Sequence, residues 1–191
     1  PLIRSYKERA VDLSKIWMFD AVLFPSNNIM RRSIKRFGRL LPDSYVVNNA
    51  PMTHIQQDFD ENVLDNYNVE QPYVFHLSSK GEKKNVHRTV KAFNKIDEDI
   101  NLVIGGGGWE SEGFESDNVK TVGYIPDEDL KYFYSHAEAF IFASLHESFG
   151  IPPVESLRCG VTPVVSNTYS LPEVTQPESI LCDPVDETSI A

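Results

Sequence analysis

Cysteine is scarce in this chain of 191 residues, with only Cys159 and Cys182 present. Neither stands at metal-ligand spacing from another Cys or from a His. That leaves no zinc module and no disulfide framework to be read, and both are expected as reduced core thiols of a cytosolic protein. Long apolar runs are missing as well. None approaches the roughly 18 residues that a bilayer-spanning helix needs. Basic residues are outnumbered, 18 Lys and Arg against 28 Asp and Glu, for a net charge of −10. A chain so acidic is a poor partner for nucleic acid, whose phosphates need a basic face. Internal repeats and low-complexity tracts are also lacking.

Hydrophobic residues make up 41% of the chain, enough to bury a core. The charge is unevenly spread. Residues 1–50 hold nine Lys and Arg against four Asp and Glu, so the rest of the chain carries all of the acidic excess. That asymmetry predicts two structural units. The first residue is Pro1 rather than Met, and the natural N-terminus is expected to lie upstream.

Periodicity supplies the elements. Residues 4–19 read as a helix, with Ala10, Leu13 and Ile16 at helical spacing. Ala21–Phe24 suits a buried parallel strand, Pro25-Ser26-Asn27-Asn28 a turn and an N-cap, and the basic residues up to Phe37 a helix. Tyr45–Val47 reads as a further strand. Residues 51–72 are polar and acidic with little periodicity, the character of an interdomain connection. After Pro72 the pattern becomes regular. Strand-like runs at Tyr73–Leu77, Leu102–Ile104, Val119–Val122, Ala139–Phe142, Pro163–Val165 and Ile180–Cys182 alternate with helical stretches. Such alternation predicts an α/β fold with a Rossmann-like, doubly wound parallel sheet. Ligands of these sheets bind outside the carboxyl ends of the strands, which directs attention to the loops at 78–84, 105–108, 123–125 and 146–151.

The most informative stretch runs from Ser144 to Gly160. Pro152-Pro153 pre-sets a helix start, where a missing N–H costs nothing, and Gly160 suits the helix end. The backbone N–H groups of Ser148, Phe149 and Gly150 are thereby expected at a helix N-terminus, a ready site for anionic oxygen. Glu147 lies just before this helix and Glu155 about one turn inside it. Taken singly, each is most simply an exposed carboxylate. Together they are separated by seven residues, and they belong to an ordered series: Lys84-Asn85, the glycines after Ile104, Val122-Gly123-Tyr124-Ile125-Pro126, Gly160-Val161-Thr162-Pro163-Val164-Val165, and Ser170-Leu171-Pro172-Glu173-Val174.

From about Asp20 onward this series resembles the group 1 retaining glycosyltransferases of GT-B fold, with Glu147 and Glu155 as their E-x7-E motif. The resemblance implies two Rossmann-like units. Residues 1–50 would be the closing part of an N-terminal, acceptor-side unit, 51–72 a connection, and 73–191 most of a nucleotide-sugar-binding domain that lacks its closing helices. It implies transfer of a sugar from a nucleotide-diphosphate sugar to a glycan or lipid-linked acceptor with retention at the anomeric carbon. No carboxylate is evidently placed for a double displacement, and the resemblance itself implies attack from the face that the phosphate leaves. Glu147 and Lys84 would be catalytic: Glu147 on the sugar hydroxyls, Lys84 on the diphosphate. Ser148, Phe149 and Gly150 would hold sugar and pyrophosphate by backbone groups, Glu155 the ribose, and Gly123, Tyr124 and Ile125 the base. The family often has Gly-Arg five residues before that lysine. Here Ser78-Ser79 stand instead, so Ser79 is a donor-side candidate, and Lys80 and Lys83 both remain candidates for the second positive charge. A non-catalytic nucleotide-sugar-binding subunit, and a related GT-B epimerase or phosphorylase, are the alternatives.

Other residues have plainer readings. His146 reads as a loop residue and His76 as a satisfied core histidine. Asp127 and Asp129, like Asp97 and Asp99, match a D-x-D metal pattern, but an N-cap explains Asp127 better. No metal and no cofactor beyond the sugar-nucleotide substrate are expected. The four glycines 105–108 lack dinucleotide spacing and only slightly favour a donor-side loop over a plain turn. The basic stretch Arg31, Arg32, Lys35, Arg36 and Arg39 reads as a solvated helix face, with peripheral contact to an anionic membrane as the alternative to a purely cytoplasmic protein.

Overall fold

Short runs of aromatic and β-branched residues, most of them closed within two residues by glycine, proline or serine, build the sheet that organises the molecule. The computed structural model describes residues 19–60, 62–114 and 117–191. The helix expected over residues 4–19 lies outside them but for Phe19. The chain divides into two units, residues up to Asn49 and Ala50–Ala191.

The first unit contains strand β1 (Ala21–Phe24), helix α1 (Asn27–Phe37), a 3-10 turn and strand β2 (Asp43–Val46). The two strands pair in parallel, Ala21 opposite Asp43. Within the expected turn Ser26 is the cap of α1, its hydroxyl accepting from the Ile29 N–H at 3.2 Å. Gly38 ends the helix with φ +56°, and Lys35 and Arg36 sit in its last turn. The second strand starts and ends earlier than Tyr45–Val47, at Asp43 and Val46, although Val47 N–H still reaches across to Phe24 O at 2.9 Å.

The second unit begins with a segment carrying helix α2 (Asn62–Asp65) and continues as β3 (Tyr73–Leu77), α3 (Val86–Phe93), β4 (Asn101–Gly105), β5 (Val119–Gly123), α4 (Asp127–Ser135), β6 (Ala139–Phe142), α5 (Ile151–Arg158), β7 (Pro163–Ser166), α6 (Leu171–Thr175), β8 (Ile180–Cys182) and α7 (Glu187–Ile190). All six strands are parallel, in the order β5-β4-β3-β6-β7-β8. The order reverses between β3 and β6, the place where doubly wound sheets open a crevice. Alternate residues feed two cores, as a strand period of two requires. Tyr73, Phe75, Phe140 and Phe142 join Phe133, Tyr134 and Leu171 on one side of the sheet. Leu102, Ile104 and Ile141 join Val86, Val90 and Phe93 on the other.

Two local readings change. Residues 51–72, read as a connection, contribute Ile55, Leu64 and Val69 to the first of these cores. Their apolar residues are interspersed with polar and acidic ones. Pro126, not Asp127, is the N-cap of α4; Asp127 is already helical and makes no side-chain cap bond. Its carboxylate instead sits in the acidic first turn, where the helix dipole favours it. Cys159 and Cys182 are free and buried, and burial pushes both thiols up to about 11.

Candidate functional site

The carboxyl ends of β3, β4 and β5 are laced together by main-chain bonds. Ser78 N–H donates to Gly105 O at 3.1 Å, Lys80 N–H to Gly107 O at 3.1 Å, and Gly106 N–H to Gly123 O at 2.7 Å. Glycine is obligatory at 106: its φ is +107°, and a Cβ there would lie 2.1 Å from Ser78 O. The glycine loop thus lets three backbones close on one another, which is why it lacks dinucleotide spacing. Trp109 fastens the loop further by donating its indole N–H to Ser78 O at 2.7 Å.

His76 is buried under this layer, with Nδ1 2.9 Å from Ile141 O and Nε2 2.7 Å from Ser78 Oγ. Burial pulls its pKa down to about 4, so it stays neutral, a core histidine as read. The Ser78 side chain is turned inward by that bond. Ser79, Lys80 and Lys83 are exposed beside it and line, with Gly81, Glu82 and Lys84, a cleft of about 380 Å³.

Across the switch point, the loop after β6 is tied to the loop after β3 by Leu145 N–H donating to Lys83 O at 2.8 Å. This brings together the two residues expected to be catalytic. Lys84 Nζ donates to Glu147 Oε1 at 2.7 Å, and both side chains are half-buried. Lys84 also lies 5.3 Å over the Phe142 ring. His146 leaves the pair and packs against Tyr169, ring centroids 4.2 Å apart. Helix α5 starts directly behind Glu147. Gly150 has φ +106°, and a Cβ there would meet Leu171 at 2.5 Å, so only glycine brings the chain into the helix. Phe149 is buried and Ser148 exposed.

Glu155 lies elsewhere. It is 3% exposed, and its Oε2 accepts from the Tyr134 hydroxyl at 3.0 Å. Burial raises its pKa; the Tyr134 bond opposes this, Asp127 adds to it, and His54 works against it. Of the candidate base-contacting loop, Gly123 has φ +70° and stands against Glu110, Tyr124 is 72% exposed, and Ile125 is buried in the core. Ile125 can therefore offer a ligand only its backbone. Lys80 is held by Glu112, which also meets His87 at 2.9 Å. That pairing leaves Lys83 the more open of the two candidates for a second positive charge. Tyr134, Trp109 and Glu112 were not singled out in the sequence; each acts across a long sequence separation. Among the described residues no group of three or more His, Cys, Asp or Glu could hold a metal ion.

The parallel strand order with its reversal makes a doubly wound α/β unit, and the solved structures it superposes on give it the GT-B type. The group 1 glycosyl transferase model matches residues 65–191, and the chain belongs to that family. The O-antigen chain mannosyltransferase B of Escherichia coli is 32% identical, covering 68% of this chain and 38% of its own. The O-antigen chain mannosyltransferase RfbU of Salmonella typhimurium is 24% identical over 84% of this chain and 51% of its own. The chain thus spans about half the length of these relatives or less. Among solved structures, sucrose-phosphate synthase from Thermosynechococcus elongatus superposes with TM-score 0.81 at 19% identity, covering 95% of this chain and 49% of that one. Anabaena HepE in complex with UDP and glucose superposes with TM-score 0.77 at 16% identity, covering 90% and 52%.

Proposed function

We propose that this chain is the donor-binding part of a glycosyltransferase that takes a nucleoside-diphosphate sugar and transfers the sugar with retention, without a metal. The observation that carries this is the Lys84–Glu147 pair, 2.7 Å long, set at the switch point in front of the α5 N-terminus. Without a donor the two charges satisfy each other. An arriving diphosphate would draw the ammonium to itself and free the carboxylate for the sugar hydroxyls. The N-terminus of α5 would add its dipole to the same anion. The bond between the anomeric carbon and the phosphate oxygen then breaks, with Lys84 stabilising the charge that develops on the leaving group. The acceptor hydroxyl attacks from the same face, and its proton passes to the departing phosphate oxygen. Glu155 serves the ribose, and the backbone of Gly123, Tyr124 and Ile125 serves the base. The acceptor is a glycan or a lipid-linked glycan, and the site of action is the cytoplasm or the cytoplasmic face of a membrane. The mannosyltransferase names of the relatives and the UDP bound in HepE support this reading.

The experiment is calorimetry of the chain with uridine, guanosine and adenosine diphosphates in excess EDTA. At least one should bind. Failure of all three, with and without Mg²⁺, would sink the donor-binding reading. Binding that needs Mg²⁺ would overturn the metal-free part alone.

A further inference from the structure

Glu155 is a carboxylate in an apolar setting, and one neighbour holds it there. Tyr134 is fully buried on α4, with its ring edge-on to Phe75 and to Phe140 at centroid distances of 5.3 Å each. Fixed in this way, its hydroxyl has little freedom, and it donates to Glu155 Oε2 at 3.0 Å. Among the described residues this is the only hydrogen bond to the Glu155 carboxylate. One oxygen is thereby tethered from beneath. Oε1 carries no hydrogen bond among the described residues, although the residue as a whole is 3% exposed.

We propose that Tyr134 is a positioning residue for the donor's ribose: it fixes the rotamer of Glu155 and keeps Oε1 available to the sugar hydroxyls. The proposal rests on the reading of Glu155 as the ribose ligand. A buried carboxylate has two ways to fail, by turning away or by taking up a proton. The tether opposes both. The phenol is itself so deeply buried that its pKa is raised well above 10, so it remains a donor throughout the working range. The charged or titratable groups facing the carboxylate are Tyr134 and Asp127 on α4, His54 from the segment before α2, and Cys159 at the C-cap of α5. Of these, only Tyr134 bonds to it.

The test is Tyr134→Phe, which keeps the ring in the core and removes one oxygen. Thermal melting checks that the variant is folded. Affinities for uridine and guanosine diphosphates and for their 2′,3′-dideoxy counterparts are then measured for both proteins. The variant should lose about 3–10-fold on the ribose forms, the worth of one hydrogen bond, and nothing on the dideoxy forms. On a Glu155→Ala background the same substitution should have no effect on either. The pH below which ribose-form binding fades should rise in the variant, because a contact favouring the ionised carboxylate is gone. Equal losses on ribose and dideoxy forms, or no loss at all, overturn the positioning role. A native protein that binds both forms equally overturns instead the assignment of Glu155 to the ribose.

Discussion

Replacing Lys84 by alanine tests the proposed site most directly. The ammonium makes a 2.7 Å charge-assisted bond with Glu147 in a half-buried setting. A bond of that kind to a charged group contributes about 1.5–3 kcal/mol. A diphosphate must take Lys84 from an existing partner, so the net gain falls toward the lower end. We expect Lys84→Ala to weaken a nucleoside diphosphate by about 1.5–2 kcal/mol, roughly 10–30-fold in Kd. The free nucleoside, with no phosphate to meet the ammonium, should keep its affinity within about twofold. Calorimetry with matched nucleoside and nucleoside diphosphate measures both numbers on one preparation. The substitution also leaves Glu147 without its cation, so a small loss of melting temperature is expected. Equal losses for the two ligands would place the lysine in folding rather than on the phosphates and refute the reasoning.

Glu155→Ala should cost a nucleoside diphosphate about 1.5–3 kcal/mol, and an unchanged calorimetric affinity would return Glu155 to a purely structural carboxylate. Gly106→Ala puts a methyl 2.1 Å from Ser78 O at φ +107° and should destabilise the chain by more than about 2 kcal/mol; urea unfolding checks it. His76 is neutral in the fold with its pKa near 4, whereas the unfolded chain takes up that proton near its ordinary value of 6.5. The unfolded state therefore binds more protons between these values, and stability should fall as pH drops from about 6.5 to 4, by about 3 kcal/mol in all. Urea titrations across that range should show the slope, and His76→Gln should flatten it.

Much of the sheet was legible because its strands are short apolar runs bounded by turn residues. Ala139–Phe142 and Ile180–Cys182 are observed with the bounds the sequence suggests. The segment 144–160 was equally readable, since Pro152, Pro153, Gly150 and Gly160 are local signals with local causes. What remained hidden was long-range. Ile55, Leu64 and Val69 lie in a polar, acidic stretch, and only the tertiary fold shows that they are buried while Met52 and Phe59 are not. The pairing of Tyr134 with Glu155 joins two helices, and neither partner carries a local mark of the other. The mistaken N-cap at Asp127 has a similar origin. Asp is a good cap by propensity, but Pro126 supplies the extended backbone first and takes the position.

The reversal of strand order has a consequence for assembly. Lys84 and Glu147 are 63 residues apart in sequence, and the strands between them, β4 and β5, are laid on the other flank before the chain returns to the centre with β6. The seam between β3 and β6 is thus closed by contacts of high sequence separation, the kind that cost most chain entropy to bring together. No stretch of one flank contains both halves of the pair. A ligand gripping Lys84 and Glu147 together would act as a clasp across that seam. It would recognise only the completed sheet and add RT ln(1 + [L]/Kd) to the stability of the whole unit.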